Sequence, residues 1–229
     1  MNTLLIMAKE PQQAKQRLRV ALPSALVTKL VSAFLRDTLA IAAGLDGVTI
    51  RLAFTPRSSE PKFSGYLREF ALGEPHGLLR QRGRALGARL EAAFKDAFAE
   101  GARRVIAIGM DSPSMPAESI GAGFRLLEEH DCVLGPTLDG GYYLIGLSRP
   151  CPHLFRGIPW SGSEVYRQTI EIIHGRGIHY RELPVWYDVD TAADLEFLVR
   201  DINQFRLAGD ETRASFTEGV LAKMLQVDS

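Results

Sequence analysis

Cysteine is nearly absent. Cys132 and Cys151 are the only two among 229 residues, and they lack CxxC spacing. A disulfide framework is thereby excluded, and a reduced, cytoplasmic setting is expected. No apolar run approaches the length of a membrane span, and the opening MNTLLIMAKEP lacks the basic region and long apolar stretch of an export signal. There is no excess charge of either sign: Lys plus Arg and Asp plus Glu number 27 each. Without a global field the chain is not drawn to nucleic acid or to an anionic membrane, and any site for a polyanion must be local. The five histidines (His76, His130, His153, His174, His179) have no zinc-ligand spacing. GxGxxG and GxxxxGK[ST] are missing, which removes the usual dehydrogenase and P-loop fingerprints. Neither Ser112 nor Ser161 stands in a nucleophile-elbow context.

What remains has the makeup of an ordinary globule, 46% hydrophobic and 24% charged. Its patterning alternates. TLLIMA (3–8) and VTIRLAF (48–54) are β-rich runs on either side of a helical pattern over 24–45. Helices are also predicted over 87–101, 116–130, 161–177 and 191–203, the second of these weakened by Gly121 and Gly123. VIAI (105–108), DCVLGP (131–136) and YYLIGL (142–147) read as strands, and 180–190 as extended. The stretch 55–65 is the most loop-like, and 216–226 reads as a final docked helix or a dimer arm, so a homodimer is one outcome to test. The expectation is a single domain over 1–229, a three-layer α/β/α sandwich around a mostly parallel sheet.

Against that frame the carboxylates stand out. Asp111 follows a short apolar strand in IGMDSPSMP, where it either projects beyond a strand end into a ligand crevice or opens a turn. Asp139 precedes Gly140 and Gly141 in LGPTLDGGYYLIGL, consistent with a tight hairpin or with backbone that approaches a ligand closely. Asp188 and Asp190, two apart on an extended backbone, point to one side. Close carboxylates repel unless a cation intervenes, which favours a hard ion, Mg²⁺ or Mn²⁺. Thr191-x-x-Asp194 supplies a structural alternative, a capping box with Asp190 beside its helix. Ser161-x-x-Glu164 reads as a second box, with Trp160 stapled onto Val165. In MAKEPQQAKQRLRV (7–20), Lys9, Lys15, Arg17 and Arg19 follow the first strand, where α/β folds hold phosphates.

Taken in order, AKEP…KQRL, QRGRALGARLEAAF, IGMDSPSMP, LGPTLDGGYYLIGL, IPWSGSEVY and YDVDTAADL resemble an uncharacterised bacterial glycosyltransferase-like family of the nucleotide-diphospho-sugar transferase superfamily. Guanylyltransferases of molybdenum-cofactor and F420 biosynthesis are more distant relatives. The resemblance spans nearly the whole chain, and the string around Asp139 is its most specific part. It implies a GT-A-type fold, with Asp111 and Asp190 as metal ligands and Lys15 and Arg17 on the phosphates. It further implies Gln81 and Gly83 in a nucleotide-proximal loop, and Asp139, Gly140 and Gly141 on the sugar or acceptor side. The implied activity is a Mg²⁺- or Mn²⁺-dependent transfer from a nucleotide-sugar to a small-molecule acceptor, with Asp111, Asp139 and Lys15 carrying the chemistry. Nucleotidyl transfer from an NTP, or nucleotide binding without catalysis, are the alternatives. The chain departs from the pattern at PQQAKQRL, which lacks the usual glycine, at Ala85 in place of a common aspartate, and at Leu138 before Asp139.

Overall fold

The computed structural model describes residues 1–160 and 162–225. In chain order the elements are β1 (Asn2–Lys9), α1 (Gln16–Ala21), α2 (Ser24–Ala43), β2 (Val48–Thr55), α3 (Glu60–Glu69), β3 (Gly77–Arg80), α4 (Leu86–Ala99) and β4 (Arg104–Ile108). There follow α5 (Ala117–Leu126), β5 (Cys132–Pro136), β6 (Tyr142–Leu147), α6 (Val165–Gly175), β7 (Tyr180–Glu182), α7 (Ala192–Leu207) and α8 (Ser215–Leu225). The strands form one sheet in the order β3-β2-β1-β4-β6-β5-β7. Among the described residues only β6 runs against its neighbours, as the return arm of the β5–β6 hairpin.

Burial on both faces explains the unbroken apolar runs of the central strands. Leu4, Ile6 and Ala8 point to one layer, where they pack with Val27, Leu30 and Phe34 of α2, Phe124 of α5 and Leu198 of α7. Leu5, between them, faces the other layer with Leu90 and Phe94 of α4 and Ile173 of α6. Helices therefore cover both sides of a mostly parallel sheet, as expected for buried strands of this kind. Both cysteines are buried free thiols.

The strand order reverses between β1 and β4, and this opens a crevice at the carboxyl edge of the sheet. Antiparallel pairing of β6 with β4 puts the hairpin turn at that same edge, since Leu144 lies opposite Ile108 near the end of β4. The segment after β7 arrives there too, through a bridge between Thr137 and Trp186.

Several expectations need correction. Most of the loop-like stretch 55–65 is helical: a 3-10 turn at Arg57–Ser59 leads into α3, whose Phe63, Tyr66 and Leu67 recur at helical spacing and are all buried. β3 is a four-residue edge strand with little burial, too short to leave a periodic signal. α6 starts only at Val165, with Glu164 as its N-cap and no side-chain cap, while the proposed partner Ser161 lies outside the described residues. Trp160 packs on Tyr142 and Phe155. Within 180–190 only Tyr180–Glu182 forms a strand. The C-terminal segment docks as α8 on α2, where Asp37 accepts bonds from the Phe216 and Thr217 backbone amides. Among the described residues no helix is long and apolar enough to cross a membrane.

Candidate active site

Beyond β1 the chain makes a short 3-10 turn at Pro11–Gln13 and then places Lys15 in the left-handed region, φ 55° and ψ 53°, directly before α1. Arg19 fixes this path: its guanidinium donates to the carbonyls of Pro11, Ala14 and Ser24. It is therefore structural, and not one of the cations offered to a ligand. Glu10, the loop's acid, accepts from Lys62 Nζ at 2.8 Å. Lys15 is turned inward, its side chain 4% exposed, with Nζ 2.9 Å from Asp111 Oδ1 and 2.5 Å from Asp190 Oδ1. Burial works against the ammonium charge, but the two carboxylates outweigh it and hold the Lys15 pKa above its ordinary value. Lys9 and Arg17 stay exposed on the rim of the same cleft.

The acids come from two segments locked together. The Val189 amide donates to the Asp111 carbonyl at 2.9 Å. Tyr187 OH lies 2.8 Å from Ser114 Oγ and donates to Asp201, which anchors the segment from beneath. Val189 is fully buried, whereas Asp188 and Asp190 on either side of it both line the cleft, as the two-residue alternation requires. The capping box at Thr191 and Asp194 is present as well, so helix capping and cleft placement of Asp190 coexist.

The three acids do not, however, converge on a single cation position. Asp111 and Asp190 meet around Lys15, while Asp188 accepts from Ser112 Oγ at 2.5 Å. Among the described residues no group of three or more His, Cys, Asp or Glu side chains is arranged to hold a metal ion. The expected triad of Asp111, Asp188 and Asp190 is thus replaced by a bridged pair with a neighbour, because the internal ammonium compensates the pair's charge. Burial, followed by the charge on Asp111, pushes the Asp188 pKa up from 3.8 to about 6. Asp111 and Asp190 keep side chains 41% and 42% exposed. Asp111 and Asp190, both partly exposed, offer all-oxygen donors of the kind that a hard dication takes alongside its own water.

Asp139 occupies the hairpin turn, where its Oδ1 accepts from Thr137 Oγ1 at 2.5 Å and from the Gly141 amide at 3.1 Å. The turn joins β5 and β6 as a hairpin, and Asp139 and Gly141 line the cleft. Gly140 does not. Its φ of 88° and a would-be Cβ only 1.9 Å from the Ser163 carbonyl oxygen tie its glycine to packing of the turn on the loop before α6. Gln81 and Gly83 also lie off the cleft lining. The Gln81 amide nitrogen donates to the carbonyls of Ala8 and Ala53, closing the ends of β1 and β2, and the Gly83 carbonyl accepts from Arg89.

The cleft holds about 720 Å³. One half is the charged edge just described, and the other is apolar, with Leu86, Leu90, Tyr142, Trp160 and Val165. That half left no signal in the sequence, because its residues belong to four separate segments and read as ordinary core. Ser112 was likewise invisible as the partner of Asp188, 76 positions away.

A family model described as an uncharacterized protein conserved in bacteria (DUF2064) matches residues 38–162, which include Asp111 and Asp139 but neither Lys15 nor Asp190. No curated protein matches the sequence. A crystal structure from Desulfovibrio desulfuricans G20, provisionally named a nucleotide-diphospho-sugar transferase, is 30% identical with a TM-score of 0.86, covering 97% of this chain and 94% of the other. CMP:2-keto-3-deoxy-manno-octonic acid synthetase complexed with CTP is 13% identical with a TM-score of 0.59, covering 89% and 98%. Rv0371c of Mycobacterium tuberculosis H37Rv in complex with manganese is 18% identical with a TM-score of 0.50, covering 87% and 97%. The last two are likenesses of fold alone. The mostly parallel sheet with helices on both faces matches the fold of that Desulfovibrio structure. With residues 38–162 matched by the family model and 30% identity to the Desulfovibrio structure along nearly its whole length, the chain belongs to the DUF2064 family.

Proposed function

We propose that the protein is a divalent-metal-dependent transferase that takes a nucleotide-sugar as donor and a small molecule as acceptor. The observation that carries this reading is the placement of Lys15 between Asp111 and Asp190 at the carboxyl edge of the parallel sheet. Open α/β sheets bind ligands at that edge, at the point where strand order reverses. The Desulfovibrio relative's name and the manganese complex of a protein of like fold support the same class.

In this reading Asp111 and Asp190 hold Mg²⁺ or Mn²⁺, and Lys9, Lys15 and Arg17 bind the donor's phosphates. The metal, when bound, supplies positive charge against the departing nucleoside diphosphate. Asp188, whose pKa burial raises to about 6, becomes neutral only below that pH and carries its negative charge at neutral pH. Asp139 lies on the acceptor side, with Oδ1 committed to Thr137 and Gly141, and receives the acceptor's proton on its other oxygen. A new bond forms between the acceptor oxygen and the sugar's anomeric carbon as the bond from that carbon to the phosphate oxygen breaks. The electron pair leaves with the nucleoside diphosphate. A second reading, nucleotidyl transfer from an NTP with loss of pyrophosphate, is favoured by the CTP complex of a neighbour of like fold.

Incubation of the protein with NTPs and with UDP- and GDP-sugars, with Mg²⁺ or Mn²⁺, separates the readings by product. Release of nucleoside diphosphate supports sugar transfer, and pyrophosphate supports nucleotidyl transfer. Binding without turnover over the whole panel leaves a non-catalytic nucleotide-binding protein. Asp111→Asn, nearly isosteric, is expected to remove metal-dependent nucleotide binding while the fold survives. Equal nucleotide affinity with and without metal in the wild type overturns the metal assignment.

A further inference from the structure

The apolar half of the cleft is built as firmly as the charged half. Trp160 stacks on Phe155 with ring centroids 6.3 Å apart and meets Tyr142 edge-on at 6.0 Å. Phe155 in turn packs on Phe94 of α4 at 5.2 Å. The first turn of α4 is pressed against the indole: a Cβ on Gly87 would lie 2.1 Å from Trp160 Nε1 and 2.4 Å from the Phe155 carbonyl oxygen. The indole is thereby fixed in one orientation, before any ligand arrives.

Apart from the exposed Ser163 on the loop before Val165, this wall offers a ligand little to hydrogen-bond. Trp160 Nε1 donates to the Phe155 carbonyl at 3.3 Å. The Tyr142 hydroxyl is buried out of solvent and has no partner among the described residues. Leu90 and Val165 add only apolar surface, and Leu86, at the first position of α4, leaves a large apolar side chain 43% exposed at the cleft. A polyol laid here would lose water from its hydroxyls without replacement, which is costly, whereas an apolar body would cover Leu86 and the indole face at a gain.

We propose that the second substrate is an alcohol with an apolar, ring-sized body, seated on Leu86, Trp160 and Tyr142 with its hydroxyl toward Asp139 and the other carboxylates. The inference rests on the transferase reading for the role of this ligand as acceptor, but not for its binding. The occupant's chemistry follows from the contrast within one cleft, where the charged lining residues come from the end of β1 and the loop and helix after it, the segment after β4, the β5–β6 turn and the 188–190 segment, and none from α4.

The test is equilibrium binding of 3-phenylpropanol and of glycerol, read from Trp160 emission in a Trp186→Phe background that leaves Trp160 as the single indole. UDP and GDP affinities with Mg²⁺ are measured in parallel by calorimetry. Saturable binding of 3-phenylpropanol at least about tenfold tighter than of glycerol is expected, from the apolar area covered. Leu86→Ser, at an exposed position, is expected to remove most of that preference and to leave UDP and GDP affinity unchanged. Equal binding of the two alcohols, or no saturation by either, overturns the proposal, as does a Leu86→Ser protein that keeps the preference. The wild-type comparison stands alone should that variant fold poorly. A protein that shows the Leu86-dependent preference but binds neither UDP nor GDP keeps the apolar site and loses the nucleotide-transferase reading.

Discussion

Two buried aspartates in this molecule have been pushed in the same direction for different ends. Asp37, in the middle of α2, and Asp188, at the cleft, both rise from 3.8 to about 6, and burial is the leading cause in each. Their surroundings differ. Asp37 accepts from the Phe216 and Thr217 amides and from the Thr217 hydroxyl, and so caps α8 against α2. Asp188 has one short bond from Ser112 and the like charge of Asp111 beside it. A perturbed carboxylate is therefore no marker of a site by itself. The company it keeps separates a structural cap from a group held ready at a ligand edge.

Asp37→Ala removes the structural cap. It strands three donors at a buried helix junction, and a loss of about 3 kcal/mol is expected in denaturant unfolding. Nucleotide affinity per folded molecule should not change; a loss there would give Asp37 a functional role and remove the contrast. Lys15→Met comes next. It leaves Asp111 and Asp190 facing each other, at a cost of about 2 kcal/mol because both remain partly solvated. Added Mg²⁺ should then raise the variant's Tm more than the wild type's, and an equal rise in both would argue against a cation position between these acids.

Asp188→Asn has a smaller effect of opposite sign. A folded-state pKa above the unfolded value means that the folded protein holds its proton more tightly. The resulting stability is complete below pH 3.8 and is lost as pH rises through about 6. The amide removes that loss, so the variant should match the wild type near pH 4 and exceed it by about 1 kcal/mol at pH 7.5. Denaturation curves at the two pH values check the sign. Asp37, still present, keeps its own decline over the same window. The smallest effect is expected at Gly141→Ala, under about 1 kcal/mol. Its φ is not left-handed, and the added Cβ would meet Thr137 Oγ1 at 3.1 Å and Asp139 Oδ1 at 3.4 Å. A loss of ligand affinity larger than this loss of stability would put the turn against the ligand. An early melt with normal binding would make it, like Gly140, a packing element.

Much of this was legible because it is local. The apolar runs of β1, β2 and β4, the helical repeats of α2 and α4, and the capping box at Thr191 and Asp194 follow from spacings of two to four residues. The β5–β6 hairpin announced itself through Asp-Gly-Gly. α3 was misread because its buried face begins only at Phe63, at the end of a polar stretch, and β3 because four residues make no period. Lys15, Asp111, Asp139 and Asp190 could be singled out by resemblance, yet Gln81, Gly83 and Gly140 turned out to be occupied with the backbone itself.

Apart from α3 and β3, the succession of strands and helices, the burial of both sheet faces and the arrival of several carboxylates at strand ends could be read from the amino-acid sequence, since each depends on neighbours within a turn or a strand. The tertiary structure decided which charge meets which. Lys15 pairs with Asp190 across 175 positions, Asp188 turns to Ser112, and Gly87 sets Trp160 beside Leu86 to form the apolar wall. Such choices depend on distances of a few ångströms between segments far apart in the chain. Electrostatic and packing energies vary steeply over that range, and no local periodicity records them.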